Sequence, residues 1–199
     1  MFERYTELAR RTLFFARYEA TQLRGTSIEP EHILLGLLRE SGSIAGPILV
    51  EADVSYQRFR NQIDQLTKGR PKIPTSVEMP LSEESEQIFN YAAEEAEGLA
   101  HRHIGAEHLL LGLLREHGTL AERSLAQYGL SADLVRERIR DEGVSSDDDS
   151  ASVPSHVEGL MALERVSSLL EELRQADIPD VVEGIQLELD IVRRALSGT

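Results

Sequence analysis

The sequence predicts an all-α protein built from two pseudo-twofold-related copies of one four-helix unit, followed by a helical hairpin. Three observations predict it. The phrase "EPEHILLGLLRE" at 29–40 returns as "GAEHLLLGLLRE" at 105–116. The register extends without gaps at an offset of 76, aligning Thr6 with Ser82, Ala16 with Ala92, Glu19 with Glu95, Gly36 with Gly112, Leu49 with Leu125, Arg60 with Arg136 and Ile63 with Ile139. Apolar residues recur at helical spacing in both copies, and no convincing strand pattern interrupts them. The copies cover 1–66 and 78–142. Repetition of this kind points to units that pack on one another.

Each element has its own signal. Thr6 is a good N-cap, and Leu8, Leu13, Phe15, Ala16 and Ala20 supply the buried face of the first helix. Phe2, Phe14, Phe15 and Tyr18 follow helical spacing and read as core. Phe2 and Tyr5 are alternatively placed in an exposed groove between the repeats, a surface for a peptide or adaptor. "TQLRGTS" breaks the pattern, with Gly25 as the C-cap. The second helix opens at Pro30, a favoured first helical residue, and "HILLGLLRE" is apolar on several sides, so it should be central. Gly36 and Gly112 sit mid-helix, where glycine costs about 1 kcal/mol against alanine. The compensation expected is close approach of a neighbouring backbone. "SGSIAGPILVEADVS" gives a short third helix and "SYQRFRNQIDQLTK" the fourth.

Between the copies, "TKGRPKIPTSVEMP" is a connector punctuated by Gly69, Pro71, Pro74 and Pro80. After the second copy, residues 143–154 are polar and acidic and read as a flexible linker. Residues 155–199 read as two helices with capping-box patterns at Ser155/Glu158 and Asp180/Glu183. Their apolar stripes, Val157 to Leu173 and Val181 to Leu196, need a partner: the repeats, another protein or a second copy in a homodimer.

Composition narrows the function. A formal charge of −14 in 199 residues argues against nucleic acid, which needs a positive footprint. The charge is uneven: residues 1–72 carry 11 Lys/Arg and 9 Asp/Glu, residues 73–199 carry 10 and 26. The absence of cysteine removes disulfides and zinc–thiolate sites. No signal peptide or membrane-length apolar run is read, so a cytoplasmic protein without membrane partners is expected. No serine lies in a G-x-S-x-G elbow, and no nucleotide-cradling G-x-x-x-x-G-K-[ST] loop occurs. His101, His103, Glu107 and His108 lie close in sequence, but not at H-E-x-x-H spacing. They read as solvated loop histidines, with His108 packed in a first helical turn like His32. No metal, cofactor or enzymatic activity is expected.

The duplicated "EHILLGLLRE", with the opening "MFERYTELARRTLFFARYEA", resembles the N-terminal domain of Clp-type unfoldase ATPases, especially the ClpC branch. The resemblance covers about 1–142 and implies a non-enzymatic binding module of Clp-dependent protein quality control, standing alone without ATPase modules. Its expected partners are substrate or adaptor proteins and the Clp machinery. It further implies phosphoarginine capture by a Thr near the start of the first helix and the Glu of the Glu-His phrase. Residue by residue these are Thr6 with Glu31 and Ser82 with Glu107. A carboxylate accepts a guanidinium fork, and a helix N-terminus suits a phosphoryl group. Glu83 and Glu84 beside Ser82 disfavour an anion there, so Thr6/Glu31 is the expected stronger site. A regulatory alternative has the protein dock on a Clp ATPase/protease or its adaptors and modulate degradation.

Overall fold

The structure is a computed structural model that describes residues 3–40, 42–71 and 79–141. The expected linker at 143–154, the hairpin at 155–199 and Phe2 lie outside the described residues. Eight helices are seen among them: α1 (Glu7–Gln22), α2 (Pro30–Arg39), α3 (Ala45–Glu51), α4 (Tyr56–Thr67), α5 (Glu83–Gly98), α6 (Ala106–Arg115), α7 (Leu120–Gln127) and α8 (Ala132–Asp141). The second four begin at the offset read from the sequence, within one residue.

The centre is where the apolar phrase predicted it. In α2 His32–Leu37 are all buried, and in α6 Ala106–Leu114 are all buried. Those two helices pack on each other, and each also touches the long first helix of the opposite repeat. Within each repeat the mid-helix glycines permit close packing. A Cβ on Gly36 would overlap the Thr12 carbonyl oxygen and lie 3.0 Å from the Ala16 nitrogen. A Cβ on Gly112 would lie 2.5 Å from the Ile88 carbonyl oxygen.

The histidine of each repeated phrase has a structural task. At the third position of α2, His32 Nδ1 accepts the N–H of the N-cap residue Glu29 at 2.9 Å. In α6, His108 Nδ1 accepts the Gly105 N–H at 2.8 Å. This is the returning half of a capping box, with imidazole in place of the usual Glu or Gln. Burial holds His32 down to about 4 and, with His101 beside it, His108 down to about 3. Both rings are therefore neutral acceptors at physiological pH.

Each repeat also clamps one glutamate. Glu19 is fully buried and accepts from Arg39 at 2.6 Å, Tyr56 at 2.7 Å and Arg60 at 3.1 Å. Its counterpart Glu95 accepts from Arg115 at 2.9 Å and from both forks of Arg136 at 2.7 and 2.8 Å. These bonds tie the first, second and fourth helices of a repeat together.

Three expectations need correction. Gly25 is not the left-handed residue that ends α1. Arg24 takes that conformation at φ 61, as Ala100 does at φ 59 after α5. Gly25 follows it and closes the turn by donating to Ala20 O at 2.8 Å. A Cβ there would sit 3.0 Å from His32 Cε1, so space rather than φ favours glycine. Phe14 is not core but 57% exposed, because Leu13-Phe14-Phe15-Ala16 cannot all face inward at 100° per residue. Tyr5 does not line an exposed groove. It is buried between the repeats, its ring 6.0 Å from Phe89 in an edge-on contact.

Candidate functional site

The segments entering the helices pair across the repeats, not within them. Tyr5 bridges Ile104, and Ile28 bridges Leu81, both in parallel. Adding 76 to Tyr5 gives Leu81, and subtracting 76 from Ile104 gives Ile28, so the two bridges exchange under the repeat offset. That exchange is the signature of a twofold-related contact. The first bridge is held by Thr6 N–H to Ile104 O at 3.0 Å and Ile104 N–H to Arg4 O at 2.7 Å. The second is held by Ile28 N–H to Pro80 O at 2.8 Å and Ser82 N–H to Ile28 O at 3.1 Å.

This geometry rearranges the expected pairs. Thr6 caps α1, its hydroxyl accepting the Ala9 N–H at 3.2 Å. Its backbone neighbours are Ile104 and the start of α6, where Glu107 lies in the first turn. Ser82 caps α5 by accepting the Ser85 N–H at 3.2 Å and lies beside the segment that opens α2, where Glu31 lies in the first turn. Thr6 and Glu31 are not brought together. α1 and α2 form an antiparallel hairpin, and a 16-residue helix of about 24 Å separates the start of α1 from the start of α2. The backbone pairing instead sets Thr6 near the start of α6 with Glu107, and Ser82 near the start of α2 with Glu31.

The sites differ. Glu107 is 4% exposed, and its carboxyl folds back over Gly105, where any Cβ would overlap it. Burial pushes that carboxyl up to about 7, opposed by its own backbone N–H. His108 Nδ1 lies 3.3 Å away, but its lone pair is already taken by the Gly105 N–H. Glu107 is thus poised at neutral pH, and among the described residues no Lys or Arg forms an ion pair with it. Glu31 is half-buried. Burial raises its carboxyl, its own backbone N–H opposes this, and the charges of Glu29 and Glu84 raise it further against Arg123. The first turn of α5 adds Glu83 and Glu86. The Ser82 site is therefore the more anionic of the two.

His101, Glu107 and His108 bring donor atoms within 4.8 Å of one another. His108 Nε2 meets His101 Nδ1 at 2.9 Å, with the rings edge-on, while its Nδ1 faces Glu107 and the Gly105 N–H. An ion bound at His108 Nδ1 would displace the Gly105 N–H and undo the helix cap. His101 and His103 are half-buried and not the solvated loop side chains expected.

The chain matches the family described as Clp repeat (R) N-terminal domain over residues 4–125 and again over 80–177. It is 34% identical over 199 residues to the tomato (Solanum lycopersicum) chloroplastic "ATP-dependent Clp protease ATP-binding subunit ClpA homolog CD4B", covering 98% of this chain and 22% of the relative. The pea (Pisum sativum) "Chaperone protein ClpC, chloroplastic" matches with the same identity and coverage. This chain thus spans about a fifth of the length of those relatives. Among solved structures, the N-terminal domain of ClpD from Arabidopsis thaliana is similar with a TM-score of 0.54 and 24% identity, over 71% of this chain and 96% of that one. The Hsp104 N-terminal domain from Candida albicans is similar with a TM-score of 0.57 and 18% identity, over 75% and 99%. Among the described residues, no helix is long and apolar enough to cross a membrane.

Proposed function

As the chain belongs to the Clp repeat (R) N-terminal domain family, we propose that it is a non-enzymatic binding module that captures substrate or adaptor proteins for a Clp chaperone or protease. A cytoplasm-like reducing compartment suits a chain without cysteine. We further infer that the Thr6/Glu107 site takes a phosphorylated arginine side chain. The observation that carries this is the exchanged pairing, which sets a helix N-terminus of one repeat beside the buried first-turn glutamate of the other. The amides of the first turn of α1 and the helix dipole suit the phosphoryl group. The Glu107 carboxylate suits the guanidinium fork. Ionised Glu107 is costly to bury alone, and a guanidinium would relieve that cost. The Ser82/Glu31 site, ringed by Glu29, Glu83, Glu84 and Glu86, repels a phosphoryl dianion.

Calorimetric titration tests the reading. Phosphoarginine should bind the wild-type chain at a stoichiometry near one. Glu107→Gln should weaken it by roughly tenfold or more, as expected for loss of a charge-assisted fork. Glu31→Gln should change it little. Affinity should rise as pH climbs through about 7, because the guanidinium needs Glu107 ionised. Equal binding by wild type and Glu107→Gln would remove the site. No binding by the wild type would remove the ligand.

A further inference from the structure

The outer face of α1 is unlike its counterpart in the second repeat. At 100° per residue, Glu7, Arg10, Arg11, Phe14, Arg17 and Tyr18 share that face. The opposite face buries Ala9, Thr12, Phe15, Ala16, Glu19 and Ala20. Phe14 stands near the middle of the outer face at 57% exposure, whereas Phe15, Phe59 and Phe89 are buried.

The repeat supplies an internal control. At the offset of 76 the same six positions of α5 are Glu83, Glu86, Gln87, Asn90, Ala93 and Glu94. Three arginines and one glutamate become three glutamates and no cation, and both aromatic rings disappear. The two helices make equivalent contacts with α2 and α6. The fold therefore requires neither the exposed ring nor the arginines. Arg11 is committed to the buried Glu40 at 3.1 Å, whereas Arg10, 3.6 Å from Glu7 on the same helix, and Arg17 stay exposed on either side of Phe14. In a chain of charge −14, this is a local basic surface around an apolar anchor.

We propose that the outer face of α1 docks an acidic amphipathic helix of a partner protein, through Phe14 flanked by Arg10 and Arg17. The spacing specifies the occupant. Arg10 and Arg17 are seven residues apart, about 10 Å along the axis, with the ring between them. A partner helix matches this with carboxylates seven residues apart and a large aliphatic side chain three or four residues from each. The apolar contact supplies the anchor and the charges supply orientation and rate of encounter. The anchor Phe14 and Arg17 lie about 12 Å or more along α1 from the Thr6 cap, so the proposal stands whether or not phosphoarginine binds there.

Fluorescence anisotropy on the full chain tests it, using a labelled 15-residue helical peptide with Glu at i and i+7 and Leu at i+3 and i+4. The wild type should bind it, and added salt should weaken the binding. Phe14→Asn, which installs the residue of the second repeat, should weaken it about tenfold or more. Arg17→Ala should weaken it and flatten the salt dependence. Both variants should keep the wild-type melting temperature, because both positions are exposed. The same peptide with Lys for Glu should fail to bind. No binding by the wild type, or undiminished binding by Phe14→Asn, would overturn the proposal. Equally tight binding of a single-stranded 20-mer oligonucleotide would also overturn it, by showing a general anion surface.

Discussion

Glu19→Ala should lower the midpoint of thermal unfolding by roughly 10 °C. The expected loss is about 3–5 kcal/mol, the range for removing one partner of a buried charge cluster. In a domain of this size each kcal/mol moves the midpoint by about 2–4 °C. Glu19 is fully buried and Arg39 is 8% exposed, so the variant takes the Glu19 carboxylate away from a guanidinium held out of water. The Tyr56 hydroxyl and the Arg60 guanidinium lose the Glu19 acceptor as well.

Burial alone would raise the Glu19 carboxyl. The charges of Arg39 and Arg60 and the hydrogen bonds of Tyr56 and Arg39 together outweigh burial and hold it below the ordinary range. A lowered folded-state value means the contribution is complete above the unfolded-state value near 4.5. It fades as pH falls below that toward the lower folded value. Urea unfolding at pH 7 and pH 3 should therefore show a smaller gap between wild type and variant at the lower pH. Glu95→Ala is the internal comparison. Arg115 and Arg136 are 28% and 26% exposed and rehydrate when released, so the loss should be about 1–2 kcal/mol. A Glu19→Ala midpoint within about 2 °C of wild type would contradict the clamp.

Gly36→Ala should also destabilise, against helix propensity. Alanine regains about 1 kcal/mol in a helix interior. The new methyl would meet the Thr12 carbonyl and the Ala16 nitrogen, both main-chain atoms of α1 that cannot rotate aside. Separating two packed helices to admit it should cost more than the regained propensity, leaving a net loss of about 2 kcal/mol or more. Gly98→Ala is the control. It lies in the last turn of α5 with nothing within 4 Å of the added carbon, and should gain about 0.5–1 kcal/mol. Chemical denaturation of the three proteins measures both. A stabilised Gly36→Ala would mean that α1 and α2 are not pressed together at this point.

The same residues show what was legible in sequence. Gly36 and Gly112 announced a close approach because glycine is costly in a helix unless space demands it. Pro30 and Thr6 marked helix starts through local chemistry, and the helices begin where those signals lie. The pairing of Thr6 with Glu107 was not legible from motif order, because aligned residues of one repeat need not meet each other. The signal that bears on it is geometric: two antiparallel helices place Thr6 and Glu31 at opposite ends of α1. Tyr5 was misread as exposed because it precedes the first helix, outside any periodic pattern. Its aligned partner Leu81 is apolar, and Tyr5 itself is buried in the cross-repeat bridge. Gly25 was misread because a glycine after a helix usually supplies positive φ, and here Arg24 carries it.

The composite site is tested most directly by following backbone amides by NMR during phosphoarginine titration of wild type and Glu107→Gln. In the wild type, the amides after Thr6 should shift together with Gly105 to Glu107. In Glu107→Gln the response after Thr6 should vanish at the same ligand concentration. Loss of the Ser82 response with the Thr6 response intact would instead mean that each glutamate serves its own repeat, contrary to the exchanged pairing.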